Sequence, residues 1–224
     1  MTFITAIQLK DSAIVVADNK FISFEKDNPK SFKEYLDSKI YSWNKGILTG
    51  VGEHRFLDKA IKLFVHSADS DTSKLPKCLN ISRQIRELEI GQHPQVLISQ
   101  LLYSEHGRLY SVSPKDKTDQ YESVALKNNE IVLWFFNPDV SQIMDDLNVL
   151  YATLKTRDSF DTDEEWTTHY IEQFKTIYKK HSVIDPCVSP SFNIYFQTAN
   201  DELDYFIRNT NNHMENYVNI KTNT

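Results

Sequence analysis

The second residue of the chain is threonine, behind Met1. Methionine is normally trimmed ahead of a small residue, and trimming here leaves Thr2 with a free α-amine. Such a residue carries a nucleophile and its base together. The hydroxyl attacks a carbonyl, and the amine, with a pKa of about 8, accepts its proton. The other reactive side chains lack partners of this kind. His54 lies close behind Gly52, but no motif pairs it with a serine or cysteine, and it reads as a polar residue at a helix start. Cys187 follows Asp185-Pro186 and reads as a buried thiol. Asp145-Asp146 and Glu164-Glu165 are neighbours on helical patterns, so neither pair converges on one face.

Composition removes several alternatives. The 224 residues contain five glycines, Gly46, Gly50, Gly52, Gly91 and Gly107, with none beyond, where average usage gives about sixteen. There is no GxxxxGK[ST] loop for phosphates and no GxGxxG turn for a dinucleotide. GxSxG, the nucleophile elbow of α/β-hydrolases, is also missing. The net charge of −6 and the absence of a basic block argue against a nucleic-acid partner. Cys78 and Cys187 stand far apart without CxxC or HExxH. They predict reduced thiols in a cytoplasmic protein, and no metal or cofactor. The opening MTFITAIQLK has neither a basic leader nor a long apolar run, so neither a signal peptide nor a membrane span is expected.

The elements that must position Thr2 follow from periodicity. Residues 3–10 and 13–18 are apolar, β-branched runs split by Asp11-Ser12, a hairpin. A polar segment, 23–38, leads to a second hairpin, 39–43 and 47–51, around Asn44-Lys45-Gly46. Phe56, Ala60, Leu63 and Phe64 predict a helix over 54–67. A loop with Pro76 leads to another over 79–90. Strand patterns return at 95–104, 108–113, 122–126 and 130–136. Helices are expected from Pro138 to about 155 and over 163–180, the latter striped by Trp166, Tyr170, Phe174, Ile177 and Tyr178. A last hairpin, 192–198 and 203–208, precedes an Asn-rich tail from Asn209 that is expected to fray. Without βαβ alternation the strands should be mainly antiparallel, two sheets each covered by a helix pair. No linker, repeat or composition shift appears, and one domain over 1–224 is expected.

With these residues in hand, a family resemblance emerges. Thr2-Phe3-Ile4-Thr5-Ala6-Ile7-Gln8-Leu9-Lys10-Asp11, then Ile14-Val15-Val16-Ala17-Asp18, resembles the opening of proteasome β-type subunits and their bacterial relatives. These are N-terminal-nucleophile hydrolases, and the resemblance implies an α+β, four-layer α-β-β-α fold. Lys39-Ile40-Tyr41 resembles the segment bearing the catalytic lysine. Ile47-Leu48-Thr49-Gly50-Val51-Gly52 resembles the strand and turn that supply the oxyanion donor. Asp185, ahead of Phe192-Asn193-Ile194-Tyr195, sits where the family places a second aspartate.

The resemblance implies that Thr2 attacks an amide carbonyl. Lys39 lowers the hydroxyl pKa by its charge, and Asp18 holds Lys39 charged and placed. The Gly52 N–H stabilises the oxyanion, and Asp185 and Ser189 orient the α-amine. A peptide or protein substrate would add as a strand beside Phe21-Ile22 and the Gly52 turn, and a ring or other homo-oligomer is implied. Taken singly, Asp18 is also a strand-end cap, Lys39 a surface lysine, and Gly50, Gly52 and Ser189 turn residues. Two departures stand out. Phe135-Phe136-Asn137-Pro138 replaces the family's Gly-Ser-Gly turn, and Val188-Ser189-Pro190 displaces its Ser-Gly by one residue. They fit a divergent amidohydrolase or a subunit that kept the architecture without the activity.

Overall fold

The amino-terminal runs form a hairpin. In the computed structural model, which describes residues 2–25, 28–115, 120–135, 139–200, 203–207 and 217–219, β1 (Ile4–Gln8) pairs antiparallel with β2 (Ser12–Asp18), Ile4 opposite Ala17 and Gln8 opposite Ala13. The turn falls on Lys10-Asp11, one residue earlier than the sequence suggests. It is closed by the Leu9 N–H donating to the Ser12 carbonyl at 2.8 Å. Every residue of both strands is buried, which is why they read as continuous apolar runs without alternation.

The polar segment that follows is not a plain connection. β3 (Lys20–Glu25) and β4 (Asn28–Leu36) make a separate two-stranded sheet with Phe21 opposite Tyr35. A short ribbon of this kind needs side-chain support. The Phe21 and Tyr35 rings stack at 5.1 Å, and Lys20 pairs with Glu34 at 2.8 Å.

Two compact units result, one made of Met1–Ile40 with Lys127–Thr224 and the other of Tyr41–Leu126. The second carries a five-stranded antiparallel sheet ordered β5-β6-β7-β8-β9. Its strands are β5 (Ile40–Trp43), β6 (Gly46–Val51), β7 (Gln100–Glu105), β8 (Arg108–Pro114) and β9 (Tyr121–Ala125). Between β6 and β7 run α1 (His54–Ser67), α2 (Leu75–Ile90) and the single turn α3 (Pro94–Leu97). α1 coincides with its expectation. α2 begins earlier, because Pro76 occupies the first turn, where a missing N–H costs nothing. Residues 95–97, expected to open a strand, belong to that helical turn, which begins at Pro94 and is capped by the His93 side chain. Phe56, Ala60 and Phe64 of α1 and Leu75, Cys78 and Leu79 of α2 build the core with Leu101, Tyr103 and Val112 of the sheet. The β7–β8 turn uses His106 and Gly107 at φ of 51° and 70°, the left-handed pair a two-residue hairpin requires.

The first unit carries a six-stranded sheet ordered β10-β1-β2-β11-β12-β13. It adds β10 (Glu130–Trp134), β11 (Phe192–Thr198), β12 (Asp204–Ile207) and β13 (Tyr217–Asn219) to the hairpin, all paired antiparallel. α4 (Met144–Ala152) follows a 3-10 turn at Ser141–Ile143, so the helix expected from Pro138 is split and shorter. α5 (Asp163–Ile184) opens on a capping box between Thr162 and Glu165 and runs one turn past its expected end. Part of the tail expected to fray is β13, while 136–138 and 208–216 lie outside the described residues. Trp166, Tyr170, Phe174, Ile177 and Tyr178 of α5 pack with Phe3, Ile7, Val16, Phe192, Ile194 and Phe196. Among the described residues no helix is long and apolar enough to cross a membrane.

One α5 side chain ties the hairpin down. The Tyr178 hydroxyl points to the Phe3 carbonyl at 3.2 Å and the Val16 carbonyl at 3.1 Å, bridging β2 and the residue that enters β1. Tyr178→Phe is expected to lower stability by about 1 kcal/mol, the net worth of a buried hydrogen bond, in urea denaturation followed by tryptophan fluorescence.

Candidate active site

β2 ends on Asp18, which is fully buried opposite Phe192 of β11. Three donors converge on its carboxylate. The Phe3 N–H reaches Oδ1 at 2.7 Å and the Lys20 N–H reaches Oδ2 at 3.1 Å. The Lys39 ammonium spans both oxygens, at 2.8 and 2.9 Å. Asp18 is therefore more than a strand cap. It binds the backbone just beyond Thr2 and a cation from the segment that leads into β5.

Lys39 stands directly before β5, and its side chain is 4% exposed. The ammonium also lies 5.2 Å from the centre of the Phe21 ring, within cation–π range. Burial pulls its pKa below the ordinary lysine value, opposed chiefly by Asp18 and then by Asp185 and Cys187. The reading of Lys39 as a surface lysine is thus overturned.

Thr2 is partly exposed, and its neighbour Phe3 is held on every side. Besides the Asp18 and Tyr178 contacts, the Asp18 N–H donates to the Phe3 carbonyl at 3.0 Å. The Phe3 ring packs against Tyr178 at 4.7 Å and against His181 at 4.5 Å. Thr2 is the first described residue ahead of this clamp, so its position is set from Phe3.

The carboxyl end of α5 brings further polar groups to the same unit. Asp185 caps the helix, its N–H donating to the His181 carbonyl at 2.9 Å. Its Oδ1 accepts from the Cys187 N–H at 2.9 Å, while its buried Oδ2 has no hydrogen-bond partner. Cys187 is half-buried, not fully buried as expected, and burial together with Asp185 pushes its thiol pKa up. Ser189 belongs to a different network. The Ser191 hydroxyl donates to Asn19 Oδ1 at 2.7 Å. With one hydroxyl proton each, Ser189 must then donate to Ser191, 2.6 Å away. Ser189 keeps accepting capacity, but its proton is committed.

Gly52 lies in the other unit, one residue beyond the last registered pair of β6 and β7, Val51 with Gln100. Its φ of +117° and the approach of Ser99, whose Cα would stand 2.5 Å from an added Cβ, exclude any other residue without rearrangement. Ser99 Oγ accepts from the next N–H, that of Glu53, at 2.9 Å. His54 is the exposed first residue of α1, which Glu53 caps. Asn137, the polar residue of the replaced Gly-Ser-Gly turn, lies outside the described residues. No group of three or more His, Cys, Asp or Glu among the described residues is arranged to hold a metal.

The structure thus gathers Asp18 and Lys39 against the backbone that follows Thr2, and Asp185 into the field of Lys39. Sequence reasoning missed Tyr178 as an anchor, Ser191 as the partner of Ser189 with Asn19 behind it, and His181 altogether. The signal for His181 was present. Carried past residue 180, the α5 stripe lands on His181 four residues after Ile177 and on Asp185 four later.

Asp18→Asn leaves the Lys39 ammonium buried without its counter-charge, and the expected cost is about 3–5 kcal/mol in chemical denaturation. The pH dependence is separable. Because Lys39 has a lowered pKa in the folded state, the unfolded chain binds more protons between that value and 10.5. Stability from this group therefore rises as pH increases through that interval. Lys39→Met should remove this rise from a series of denaturation curves.

No family model and no curated protein sequence matches the chain. Solved structures do. The chain is similar to the Anbu Gly-1 mutant from Hyphomicrobium sp. strain MC1, at 10% identity and TM-score 0.61 over 96% of this chain and 89% of that one. It is also similar to Anbu of the helical assembly from Pseudomonas aeruginosa, at 12% identity and TM-score 0.63 over 95% and 88%. A third similarity is to HslV from Trypanosoma brucei, at 8% identity and TM-score 0.52 over 88% and 99%. Two antiparallel sheets with their helices, matched in this way along nearly the whole chain, give it the proteasome-type N-terminal-nucleophile hydrolase fold.

Proposed function

We propose that the chain is an N-terminal threonine amide hydrolase, a peptidase of the proteasome β-subunit type, cytoplasmic and working as a homo-oligomer. The observation that carries this reading is the buried Lys39–Asp18 pair bonded to the Phe3 N–H. Desolvating two charges costs several kcal/mol, and a well-packed apolar pair often stabilises a fold as well or better. A buried ammonium tied through Asp18 to the backbone that follows a candidate nucleophile has a chemical use instead. Once Met1 is removed, the Thr2 hydroxyl attacks the amide carbon while the α-amine takes its proton. The Lys39 charge favours the alkoxide. The resemblance assigns the stabilisation of the oxyanion to the Gly52 N–H. The amine product leaves with the proton, and water hydrolyses the resulting ester. Among the described residues β3 pairs on one side only, with β4, which suits strand addition by an extended peptide. Assembly is supported by the helical Anbu complex from Pseudomonas aeruginosa.

A second reading, a proteasome-like interaction subunit without catalysis, rests on the carboxyl end of α5. The Ser189 proton is committed to Ser191, so support for the amine is thinner than the resemblance implies.

Intact mass of protein from its native cell is expected to lack Met1, and a threonine-directed electrophile should label Thr2. Thr2→Ala should lower hydrolysis of a peptide library by about 10³-fold or more. Retained Met1, or turnover unchanged in Thr2→Ala, rejects the hydrolase. Partner binding lost with Thr2→Ala would instead reject the non-catalytic reading.

A further inference from the structure

His181 is a fully buried histidine with no hydrogen-bond partner at either ring nitrogen. One turn along α5, Asp185 is 4% exposed and its Oδ2 is equally without a partner. Leaving such groups unmet is costly, and a core phenylalanine would fill the histidine's place at lower cost. The two are not scattered orphans. They stand at i and i+4, the spacing at which helical side chains meet, and are joined by the Asp185 N–H bond to the His181 carbonyl. The His181 ring also rests on Phe3, next to the proposed nucleophile.

We infer that His181 is a positioning residue that governs, through Asp185, when the Thr2 amine is held for chemistry. This rests on the hydrolase reading and adds a control to the same site. With His181 neutral, Asp185 Oδ2 is free to accept from the α-amine. On acidification His181 takes a proton from solvent, and the imidazolium, lacking any other acceptor, claims that oxygen. The amine loses its support, and the ring movement loosens the packing on Phe3.

The surroundings favour a transition of this kind. The charged groups that act on His181 are Asp185 on its own helix, Asp18 at the end of β2, and Asp139 ahead of the 3-10 turn. Asp18 is already saturated by Lys39 and two backbone N–H groups. Asp139 accepts from Ser141 through both backbone and side chain. Of the three, Asp185 alone offers an unmet buried oxygen. Burial pushes His181 below the ordinary histidine value, and Asp185 leads the opposing influences. The unfolded chain therefore binds more protons between that lowered value and 6.5, and stability falls as pH drops through that interval.

The test is an NMR titration of the histidine ring protons in the full chain, with His181 identified by the signal lost in His181→Gln, or in His181→Met should the first not fold. His181 is expected to titrate below 6.5, and Asp185→Asn should lower its midpoint by about half a unit or more. In parallel, His181→Gln should extend Thr2-dependent turnover to lower pH. A His181 midpoint unmoved by Asp185→Asn, or an acid limb unmoved by His181→Gln, overturns the proposal. Turnover unaffected by Thr2→Ala rejects the hydrolase instead, while the titration still decides whether His181 and Asp185 are coupled.

Discussion

The ion pair between Lys39 and Asp18 is the constraint on which the first unit turns. A carboxylate at the end of the central strand β2 could have been left in water. Here it is fully buried, so it must be met by donors, and meeting it fixes three separate pieces of chain. The Phe3 N–H sets the start of β1, the Lys20 N–H sets the exit into β3, and the Lys39 ammonium brings in the residue before β5. An unpaired buried charge is among the costliest errors a core can contain. The pairing is therefore close to obligatory, and Thr2, one residue from Phe3, inherits its precision.

The rest of the unit supports that arrangement from behind. α5 lays an aromatic stripe under the sheet, and its last two turns change character from apolar to polar. Tyr178 bonds the carbonyls of Phe3 and Val16, His181 packs on Phe3, and Asp185 caps the helix and acts on Lys39. One helix thus fixes the N-terminal strand with its packing and shapes its electrostatics with its end. Unmet capacity collects at that end, in His181 and Asp185. Thr5 Oγ1 and Trp166 Nε1 are also buried without a hydrogen-bond partner, but at the end of α5 two titratable groups share this condition one helical turn apart.

Much of the fold was legible because its strands and helices are long or strongly patterned. α1 and β11 coincide with their expected ranges. The misses have local causes. Pro94 and Pro76 each open a helical turn, which the pattern of apolar residues alone does not distinguish from a strand or a loop. β3 and β4 mix aromatic and charged residues without a clean alternation, and their pairing depends on cross-strand partners such as Phe21 with Tyr35. β13 reflects the open edge of β12 more than anything in the tail's own Asn-rich composition.

For the site, the sequence by itself determined the chemistry available: a threonine at position 2, an aspartate closing an apolar strand, a lysine ahead of another, and a glycine just past a third. Those are properties of residue type and order. Only the tertiary structure decided which of them meet. Asp18 and Lys39 are distant in sequence and become bonded because a buried carboxylate selects a cation. Ser189 gives its one hydroxyl proton to Ser191, because the Ser191 proton is already given to Asn19. His181 gained its interest only when its surroundings proved to hold no partner for it. Satisfaction of a polar group is a property of the space around it, and that space exists only after the chain has folded.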